Sequence, residues 1–559
     1  MATLEQHFLR IYMLFGGKQE TSLQLEEVAK AVNSSERNAR ILLNKMSTSG
    51  WVIWEPARGR GKRSVLKFLV TPQQVEQDNF AEMIEHNHFV KSGKKAAGQQ
   101  QKIRDLVREN FGTFITNDGV NIKIPYYRPV DELKPVVPQR RTERHLIRQC
   151  FSGLTRFDPF QKQAVPDLAH YWLNNEIKDE WQFFLRKGLH FSDGSLLTAE
   201  HIRRCIDNAR QSPAFRDLFR DIEQITVQGE LRITFTLIRP DRHFAELMST
   251  IPAKIFRTHE GKILCSGPFY IAEHTSSLLC MRKNRYFHYT SPMIDEVNIY
   301  PFDTQDMNMG FISLLRTYQS EAINKPRERK LDQGASYLLV DRAGHCADFH
   351  WRSFLNDVLQ SVEILRLSEL KRDYASSLSF SAGMLPDWNH RTIDYGVSNP
   401  AFGNNQPLTL ATFSQPELVH LARGISRLLQ SHGISCEIQE VSFLEFMSGK
   451  LSGIDIWLTN FMVDFEDVAS FKNWLTGDNC LRRLPKEQIE MLTAILNNAG
   501  GQDYTTFREV VAKHFMHLTR ERWLLPLFHH WLDYESDSAF TWRDLNTIGW
   551  PDFSQVWIE

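Results

Sequence analysis

With 559 residues, the chain is too long for one hydrophobic core, and about 150 residues per domain predicts three or four packing units. Its 42% apolar and 24% charged residues are ordinary for a soluble globular protein, and a net charge of −1 indicates no partner. The charge is unevenly distributed, because residues 1–70 have a net charge of +5 and the remaining residues have −6. This asymmetry is expected when a small nucleic-acid-binding module is joined to a larger, neutral-to-acidic body.

No export signal or membrane span is predicted. Arg10 interrupts the only apolar run near the start, and no stretch approaches the roughly 18 apolar residues of a transmembrane helix. The seven cysteines are scattered and include no Cys-x-x-Cys pair. Buried free thiols in a reducing cytoplasm fit this usage. We therefore expect a cytoplasmic protein with no membrane partner.

The first 70 residues predict three helices. Apolar residues at helical spacing between Leu4 and Phe15 predict the first, and Thr21 or Ser22 is expected to cap the second. Ser35 is expected to cap the third. The polar residues expected at the start and on the exposed face of this third helix are Arg37, Asn38, Arg40 and Asn44.

Two strands at 52–55 and 65–70 then predict a wing, and its glycine-containing tip carries four cations, Arg58, Arg60, Lys62 and Arg63. In a winged helix the third helix enters the major groove, where Arg and Asn contact guanine and adenine edges. A basic wing tip suits phosphates or the minor groove. We expect all four cations, together with Ser35 and the polar residues of the third helix, to bind double-stranded DNA. The alternative is a protein-interaction domain with a solvated basic loop.

Residues 71–118 predict a helical connector with a polar, linker-like stretch at 91–101. From residue 122 onward, strand-like runs alternate with helix-like segments, which favours α/β layers. Thr198 is expected to cap a helix after a turn at Asp193 and Gly194. The chain has no phosphate-loop, hydrolase, metalloprotease or dinucleotide motif, so we expect a protein that is not an enzyme and has no catalytic residue, cofactor or metal.

Several segments of the C-terminal body resemble family 5 solute-binding proteins, which bind oligopeptides, dipeptides and nickel complexes. They are GLTRFD at 153–158, WQFFLRKGLHFSDG at 181–194, LTAE at 197–200 and GPFY at 267–270. The resemblance departs near 195–197, where the family favours a proline. It implies two α/β lobes that close around a ligand by hinge motion.

The basic N-terminal module ahead of this body resembles the SgrR family of bacterial regulators, as do SGW at 49–51, GRGKRS at 59–64, YYRP at 126–129 and NTIGW at 546–550. The resemblance implies a multi-domain chain in which a winged helix-turn-helix of α+β class precedes a two-lobed α/β domain like the periplasmic binding proteins. The predicted domains are a winged helix at 1–70, the connector at 71–118 and a ligand-sensing domain at 119–559. In that family the signal is linked to sugar-phosphate stress through a small regulatory RNA gene.

The resemblance also implies ligand contacts. In the peptide binders a W-x-A-D-Y segment supplies an aspartate that meets the ligand's amino group, and the matching positions here are Phe461 and Asp464. Trp388 and Trp457 are further candidates, as stacking surfaces, with core packing as the alternative. The expected ligand is a sugar phosphate or a peptide-like molecule, although a carboxylate would repel a phosphate.

Two other functions compete with a ligand-gated regulator. One is the solute-binding component of an importer, which the basic N-terminal module opposes and which periplasmic location would support. The other is a scaffold that uses its winged helix to dock a protein partner. Salt-dependent binding to promoter DNA separates the scaffold from the regulator.

Overall fold

The computed structural model describes residues 4–16, 20–57, 63–72, 75, 112–116, 119–126, 128–301, 328–370, 375–392, 407–534, 540–541 and 550–558. The chain divides into two compact units, Met1–Gln101 and Lys102–Glu559, and each is described by itself. The predicted boundaries at residues 70 and 118 stay predictions.

Three helices and a three-stranded sheet form the N-terminal unit. Its elements are α1 (Leu4–Phe15), β1 (Glu20–Leu23), α2 (Leu25–Ala31), α3 (Glu36–Thr48), β2 (Val52–Glu55) and β3 (Ser64–Phe68). β3 pairs antiparallel with both β1 and β2. The three helices and the sheet share one core, in which the Phe8 ring meets the Trp51 ring edge-on at 5.4 Å. The predicted helices and both wing strands are confirmed.

One of the two predicted helix starts is wrong. Ser35 caps α3 as expected, because its Oγ accepts the N–H of Asn38 at 3.3 Å. Thr21 and Ser22 do not cap α2, since both lie in β1 opposite residues of β3. The helix begins instead after Gln24, whose N–H donates to the Glu27 carboxylate at 2.6 Å. Pairing with a strand more than 40 residues away decides the conformation of this segment over its local capping preference.

The C-terminal unit contains two lobes. The first lobe comprises the described residues of 112–301 and 550–558. Its strands are β4 (Gly112–Thr116), β5 (Gly119–Tyr126), β6 (Thr155–Asp158), β7 (Gln163–Pro166), β8 (Ala169–Asn174), β9 (Glu180–Leu185), β10 (Ile222–Gln228), β11 (Arg232–Leu237), β12 (Phe256–His259), β13 (Lys262–Cys265), β14 (Phe269–His274), β15 (Leu279–Lys283) and β16 (Glu296–Pro301). Its helices are α4 (Arg141–Cys150), α5 (Ala199–Gln211) and α6 (Phe244–Leu247).

Two sheets organise the first lobe. One has the order β14-β15-β16-β5-β4, with β16 parallel to β5, and the other is antiparallel in the order β10-β11-β9-β8. β4 lies within the stretch that the sequence predicted as a helical connector, and its pairing with β5 makes it part of the sheet. The predicted helix cap at Thr198 is confirmed, because its N–H donates to His201 Nδ1 at 3.2 Å.

The second lobe comprises the described residues of 328–534. Its strands are β17 (Glu328–Leu331), β18 (Gly334–Val340), β19 (Leu378–Phe380), β20 (Leu408–Phe413), β21 (Cys436–Val441), β22 (Ile456–Met462) and β23 (Leu524–Tyr534). Its helices are α7 (Phe349–Val358), α8 (Ser361–Leu367), α9 (Pro416–Ser431), α10 (Phe443–Met447), α11 (Val468–Gly477), α12 (Lys486–Asn498) and α13 (Tyr504–Arg520). Its seven strands form one mixed sheet in which β20 runs parallel to both β21 and β22.

Each lobe has its own hydrophobic core, and the end of the chain returns to the first one. Trp550 and Phe553 pack there beside the His145 ring of α4. A last pair of short strands, β24 (Phe540–Thr541) and β25 (Trp557–Ile558), is antiparallel. All seven cysteines are free thiols, and six of them are buried, as predicted. No helix in the described ranges is long and apolar enough to cross a membrane.

Candidate functional site

The outer face of α3 carries the predicted base-reading residues. Ala39, Leu43 and Met46 are buried, so the opposite face points to solvent. The exposed polar residues on or beside that face are Arg37, Asn38, Arg40 and Asn44. The Asn38 amide donates locally to the Ser34 hydroxyl at 2.8 Å, and the Ser35 hydroxyl is occupied as the cap. Arg37, Arg40 and Asn44 remain one aligned row at helical spacing.

The base of the wing lies against α2. The exposed Arg63 guanidinium is 3.3 Å from the Glu27 carboxylate, which also receives the N–H of Gln24. An exposed pair of this kind contributes little to stability, so the Arg63 side chain can exchange this carboxylate for another anion. The other predicted wing contacts, Arg58, Arg60 and Lys62, lie outside the described residues.

Both predicted stacking tryptophans belong to the core of the second lobe. Trp457 on β22 is fully buried, and its indole N–H donates to Asp341 at 2.9 Å. Trp388 is also buried, with its ring 5.9 Å from the Phe515 ring and beneath the Arg508 guanidinium. Core packing, the alternative that the sequence left open, therefore accounts for both positions, and their contact with a ligand stays a prediction.

Phe461 and Asp464 lie at the end of β22, where the second lobe meets the first. The Phe461 ring stacks on Trp474 with centroids 4.0 Å apart and planes 9° apart. The Asp464 carboxylate is almost completely buried and touches the other lobe: Arg148 Nη2 lies 2.7 Å from Oδ2 and Arg144 Nη1 lies 3.4 Å from Oδ1. Burial alone would raise the pKa of Asp464, but the two guanidinium charges outweigh it and hold that pKa below its usual range.

Both arginines belong to a row on α4. Arg141, Arg144 and Arg148 are three and four residues apart, a spacing that places them on one helix face, directed at the second lobe. Arg141 completes the row with an ion pair of 2.9 Å to Asp332. The preceding Arg140 also reaches across, to the Ser414 carbonyl at 3.3 Å. A row of cations from one lobe therefore faces two buried carboxylates of the other.

A buried lysine adds to the positive charge beside this row. Burial lowers the pKa of Lys254 to about 8, with Asp167 opposing the shift and Arg148 and Arg156 adding to it. Asp167 has its own partners, because it accepts the N–H of Gly153 at 3.0 Å and lies 2.9 Å from His288. Lys254 therefore adds a buried amine to the first lobe, and its charge interacts with that of Arg148.

The second lobe adds a contact between two neutral groups. His530 Nε2 lies 3.4 Å from Glu417 Oε1 and 3.0 Å from the Ser336 hydroxyl. Burial lowers the pKa of His530 to about 4 and raises that of Glu417 to about 7, so between these values neither side chain is charged. His530 and Glu417 therefore do not form an ion pair at pH 6. The two side chains instead provide neutral hydrogen-bond donors and acceptors beside the charge of Arg141.

Further contacts hold the two lobes together. The buried Lys472 ammonium on α11 lies 2.7 Å from the buried Asp241 carboxylate, and the exposed Lys162 lies 2.8 Å from Glu466. The rings of Phe157 and Phe465 are 5.0 Å apart. The lobes thus meet through charged and aromatic groups.

Sequence reasoning found Asp464 but missed the groups around it. The missed residues are Arg141, Arg144, Arg148, Lys254, Asp332 and Glu417. The helical spacing of the three arginines was a readable signal, whereas the carboxylates that pair with them lie 191 to 320 positions further along the chain. In the described parts of the chain, no group of three or more His, Cys, Asp and Glu residues is placed to hold a metal ion.

The fold and these sites define a class of protein: a winged helix joined to a two-lobed domain of the solute-binding type. Residues 3–118 match the family described as sugar transport-related sRNA regulator N-term, and residues 163–313 match bacterial extracellular solute-binding proteins, family 5 middle. Two segments of the chain therefore match the two families that the sequence resembled, which confirms that resemblance.

Curated relatives extend this similarity over the whole chain. The chain is 28% identical over 569 residues to the HTH-type transcriptional regulator SgrR of Yersinia pestis strain Pestoides F, covering 99% of this chain and 98% of the relative. It is 29% identical to the protein of the same name from Shigella boydii serotype 4, covering 100% and 98%. These names favour the regulator over the importer component.

Solved structures agree with the fold of the C-terminal unit. OppA of Burkholderia pseudomallei matches with a TM-score of 0.63 and 16% identity, over 79% of this chain and 100% of that one. The Escherichia coli murein tripeptide binding protein MppA matches with a TM-score of 0.62 and 14% identity, over 80% and 99%. At this identity the likeness establishes the two-lobed fold alone.

Proposed function

We propose that this chain is a cytoplasmic transcription regulator whose N-terminal unit binds double-stranded promoter DNA and whose C-terminal unit senses a small molecule. The observation that carries the proposal is the exposed row of Arg37, Arg40 and Asn44 on α3, in a chain that also contains a solute-binding fold. Bidentate contacts from Arg to guanine and from Asn to adenine each provide about 1–3 kcal/mol of base discrimination.

A gel-shift titration on DNA from the region upstream of the gene tests the DNA-binding half. Replacing Arg37, Arg40 and Asn44 with Ala should reduce the preference for this DNA over random DNA by at least tenfold. Lys30→Ala is the matched control, since Lys30 is an exposed cation on α2 that pairs with Glu26 at 2.9 Å. Equal weakening on both DNAs would show that α3 contacts only phosphates, and no binding to either DNA would favour the scaffold.

For the sensing half, we propose that the ligand lies between the lobes and carries an anionic group. The arginine row on α4 and the nearby Lys254 favour an anion, because charge-assisted hydrogen bonds to guanidinium groups are among the strongest that a protein offers. A sugar phosphate satisfies this chemistry, and the family description of residues 3–118 concerns regulation related to sugar transport. We also propose that the regulated target includes a small RNA gene.

Calorimetry of the full chain with phosphorylated and unphosphorylated forms of the same sugars tests this ligand class. Phosphorylated sugars should bind and their parent sugars should not. Transcription from the bound promoter should respond to the same compounds. Binding of short peptides with no binding of sugar phosphates would replace this ligand class with the peptide-like alternative.

A further inference from the structure

The contact between Asp464 and the arginine row has unequal halves. Arg148 meets Oδ2 at 2.7 Å, the usual length for a charge-assisted hydrogen bond, but Arg144 stands 3.4 Å from Oδ1. The buried Nε of Arg144 also has no hydrogen-bond partner among the residues that the structure describes. One carboxylate therefore satisfies Arg148 and leaves donors of Arg144 available.

The charges around Asp464 also indicate that this position prefers an anion. Around Asp464 the first lobe contributes the guanidinium groups of Arg144 and Arg148. Asp332, the other acid of this surface, is engaged by Arg141 at 2.9 Å. If Asp464 left, the guanidinium groups of Arg144 and Arg148, whose side chains are 18% and 17% exposed, would lose their counter-charge, and an unpaired charge with so little solvent around it is unfavourable. The position therefore favours an anion.

We propose that Asp464 is an internal occupant of an anion site formed by Arg144 and Arg148, and that the anionic group of a ligand binds there by displacing this carboxylate. A group with three oxygens, such as a phosphate, can reach both guanidinium groups at full hydrogen-bond strength, which the two oxygens of Asp464 do not achieve. This inference rests on the proposed function only in that it assumes a small ligand between the lobes. It does not require DNA binding.

Displacement also links the site to the contact between the lobes. Asp464 follows β22 of the second lobe, whereas both arginines belong to α4 of the first, so their pairing joins the lobes directly. A ligand that takes the arginines breaks this joint and replaces it with its own contacts. The ligand thereby changes how the lobes are held, which a sensor needs and which simple filling of a gap would not provide.

The direction in which one substitution changes phosphate affinity distinguishes this role of Asp464 from a direct contact with the ligand. Asp464→Asn keeps the side-chain size and removes the competing charge. We expect the full-length Asp464→Asn protein to bind inorganic phosphate at least tenfold more tightly than the unchanged protein in calorimetry. Arg148→Gln should bind phosphate at least tenfold more weakly than the unchanged protein, or lose binding. If Asp464 instead met a positively charged ligand group, Asp464→Asn would give no gain for phosphate.

Glu466→Gln is the matched control. Glu466 is two residues from Asp464 and also pairs across the lobes, with Lys162, but both partners are exposed. Its removal should leave phosphate affinity within twofold of the unchanged protein. A gain in Glu466→Gln equal to that in Asp464→Asn would show a general charge effect and overturn the proposal, as would unchanged or weaker binding in Asp464→Asn.

A thermal measurement keeps the test valid if Asp464→Asn is less stable. Phosphate should raise the unfolding midpoint of Asp464→Asn by several degrees more than that of the unchanged protein, and sodium chloride at equal ionic strength should not. Equal responses to phosphate and chloride would overturn the anion site. If the unchanged protein does not bind promoter DNA in the gel shift but the phosphate results are as expected, the proposed regulator is refuted and the anion site is retained.

Discussion

Arg128→Met should remove the ion-pair partner of the buried Glu143 carboxylate on α4, the helix that carries the arginine row. Glu143 on α4 has no solvent exposure, and its two oxygens receive Arg128 Nη1 at 2.7 Å and Nη2 at 2.8 Å. The N–H of Asp131 adds a third donor at 3.0 Å. Breaking a buried ion pair from one side costs about 3–5 kcal/mol, because the remaining charge stays buried without its partner. The Arg128 side chain is 12% exposed, so we expect the lower end, about 3 kcal/mol.

The assay is urea unfolding followed by tryptophan fluorescence at pH 7. The free energy of unfolding of the C-terminal unit should fall by about 3 kcal/mol in Arg128→Met, and Glu143→Gln added to that variant should recover at least half of the loss. Burial raises the pKa of Glu143 and Arg128 overcomes that effect, so without Arg128 the pKa should rise and the deficit should shrink in acid. A loss below 1 kcal/mol, or two substitutions whose effects simply add, would show that this pair does not anchor α4.

Three further predictions concern pH, backbone and DNA. The pKa of Glu417 in the folded protein, about 7, lies above its ordinary value of 4.5, so the contribution of its protonated form to stability is complete below about pH 4.5 and is lost as the pH rises to 7. Between pH 5 and 8, the free energy of unfolding in urea should fall by up to about 3 kcal/mol more for the unchanged protein than for Glu417→Gln. Parallel pH dependences of the two proteins would refute the raised pKa. In thermal unfolding, Gly194→Ala should destabilise the protein by about 2–3 kcal/mol, because φ is +85° and a Cβ would lie 2.9 Å from the Tyr286 ring. Gly188→Ala, at φ +70° with open space around it, should destabilise it by only about 1 kcal/mol in the same assay. Replacing the four wing cations with Ala should weaken binding to all DNA sequences and reduce the log–log salt slope by about 0.9 for each lost phosphate contact; an unchanged affinity and slope would remove the wing from the interface. The cations are Arg58, Arg60, Lys62 and Arg63.

The N-terminal unit could be predicted in most of its elements because its signals are local. Apolar spacing gave the three helices, and a hydroxyl before a helix start correctly placed the cap at Ser35. The same capping rule failed at Thr21 and Ser22, since a polar residue near a helix start is also acceptable in an edge strand. Only the partner strand β3, more than 40 residues away, distinguishes the two conformations.

The candidate ligand site shows a similar limit. The position of Asp464 followed from its neighbours in the sequence, yet its contacts depend on Arg144 and Arg148 in the other lobe, about 320 residues earlier. Trp457 illustrates the converse, because a tryptophan suits both a stacking surface and a core, and the sequence contains no burial information for one isolated aromatic residue. The chemistry of a residue can be read locally, but its partner is set by topology.

The closed contacts between the lobes constrain how a ligand could regulate this protein. A ligand shifts a two-state equilibrium only by its differential affinity for the two states, and typical coupling between sites is about 1–3 kcal/mol, or 5- to 150-fold. Because Asp464 already occupies Arg144 and Arg148, a ligand gains only the difference between its own anion and this carboxylate. We therefore expect a graded response, since a complete switch from 1:99 to 99:1 requires the ligand to bind one state about 10⁴-fold more tightly than the other.

Reciprocity makes the coupling between the two sites measurable: promoter DNA must change the affinity for the ligand by the same factor as the ligand changes the affinity for DNA. Calorimetry of ligand binding with and without saturating promoter DNA gives the first factor, and gel shifts with and without ligand give the second. Equal factors greater than fivefold would establish the C-terminal unit as the sensor, and ligand binding that leaves DNA affinity and transcription unchanged would show that it is not.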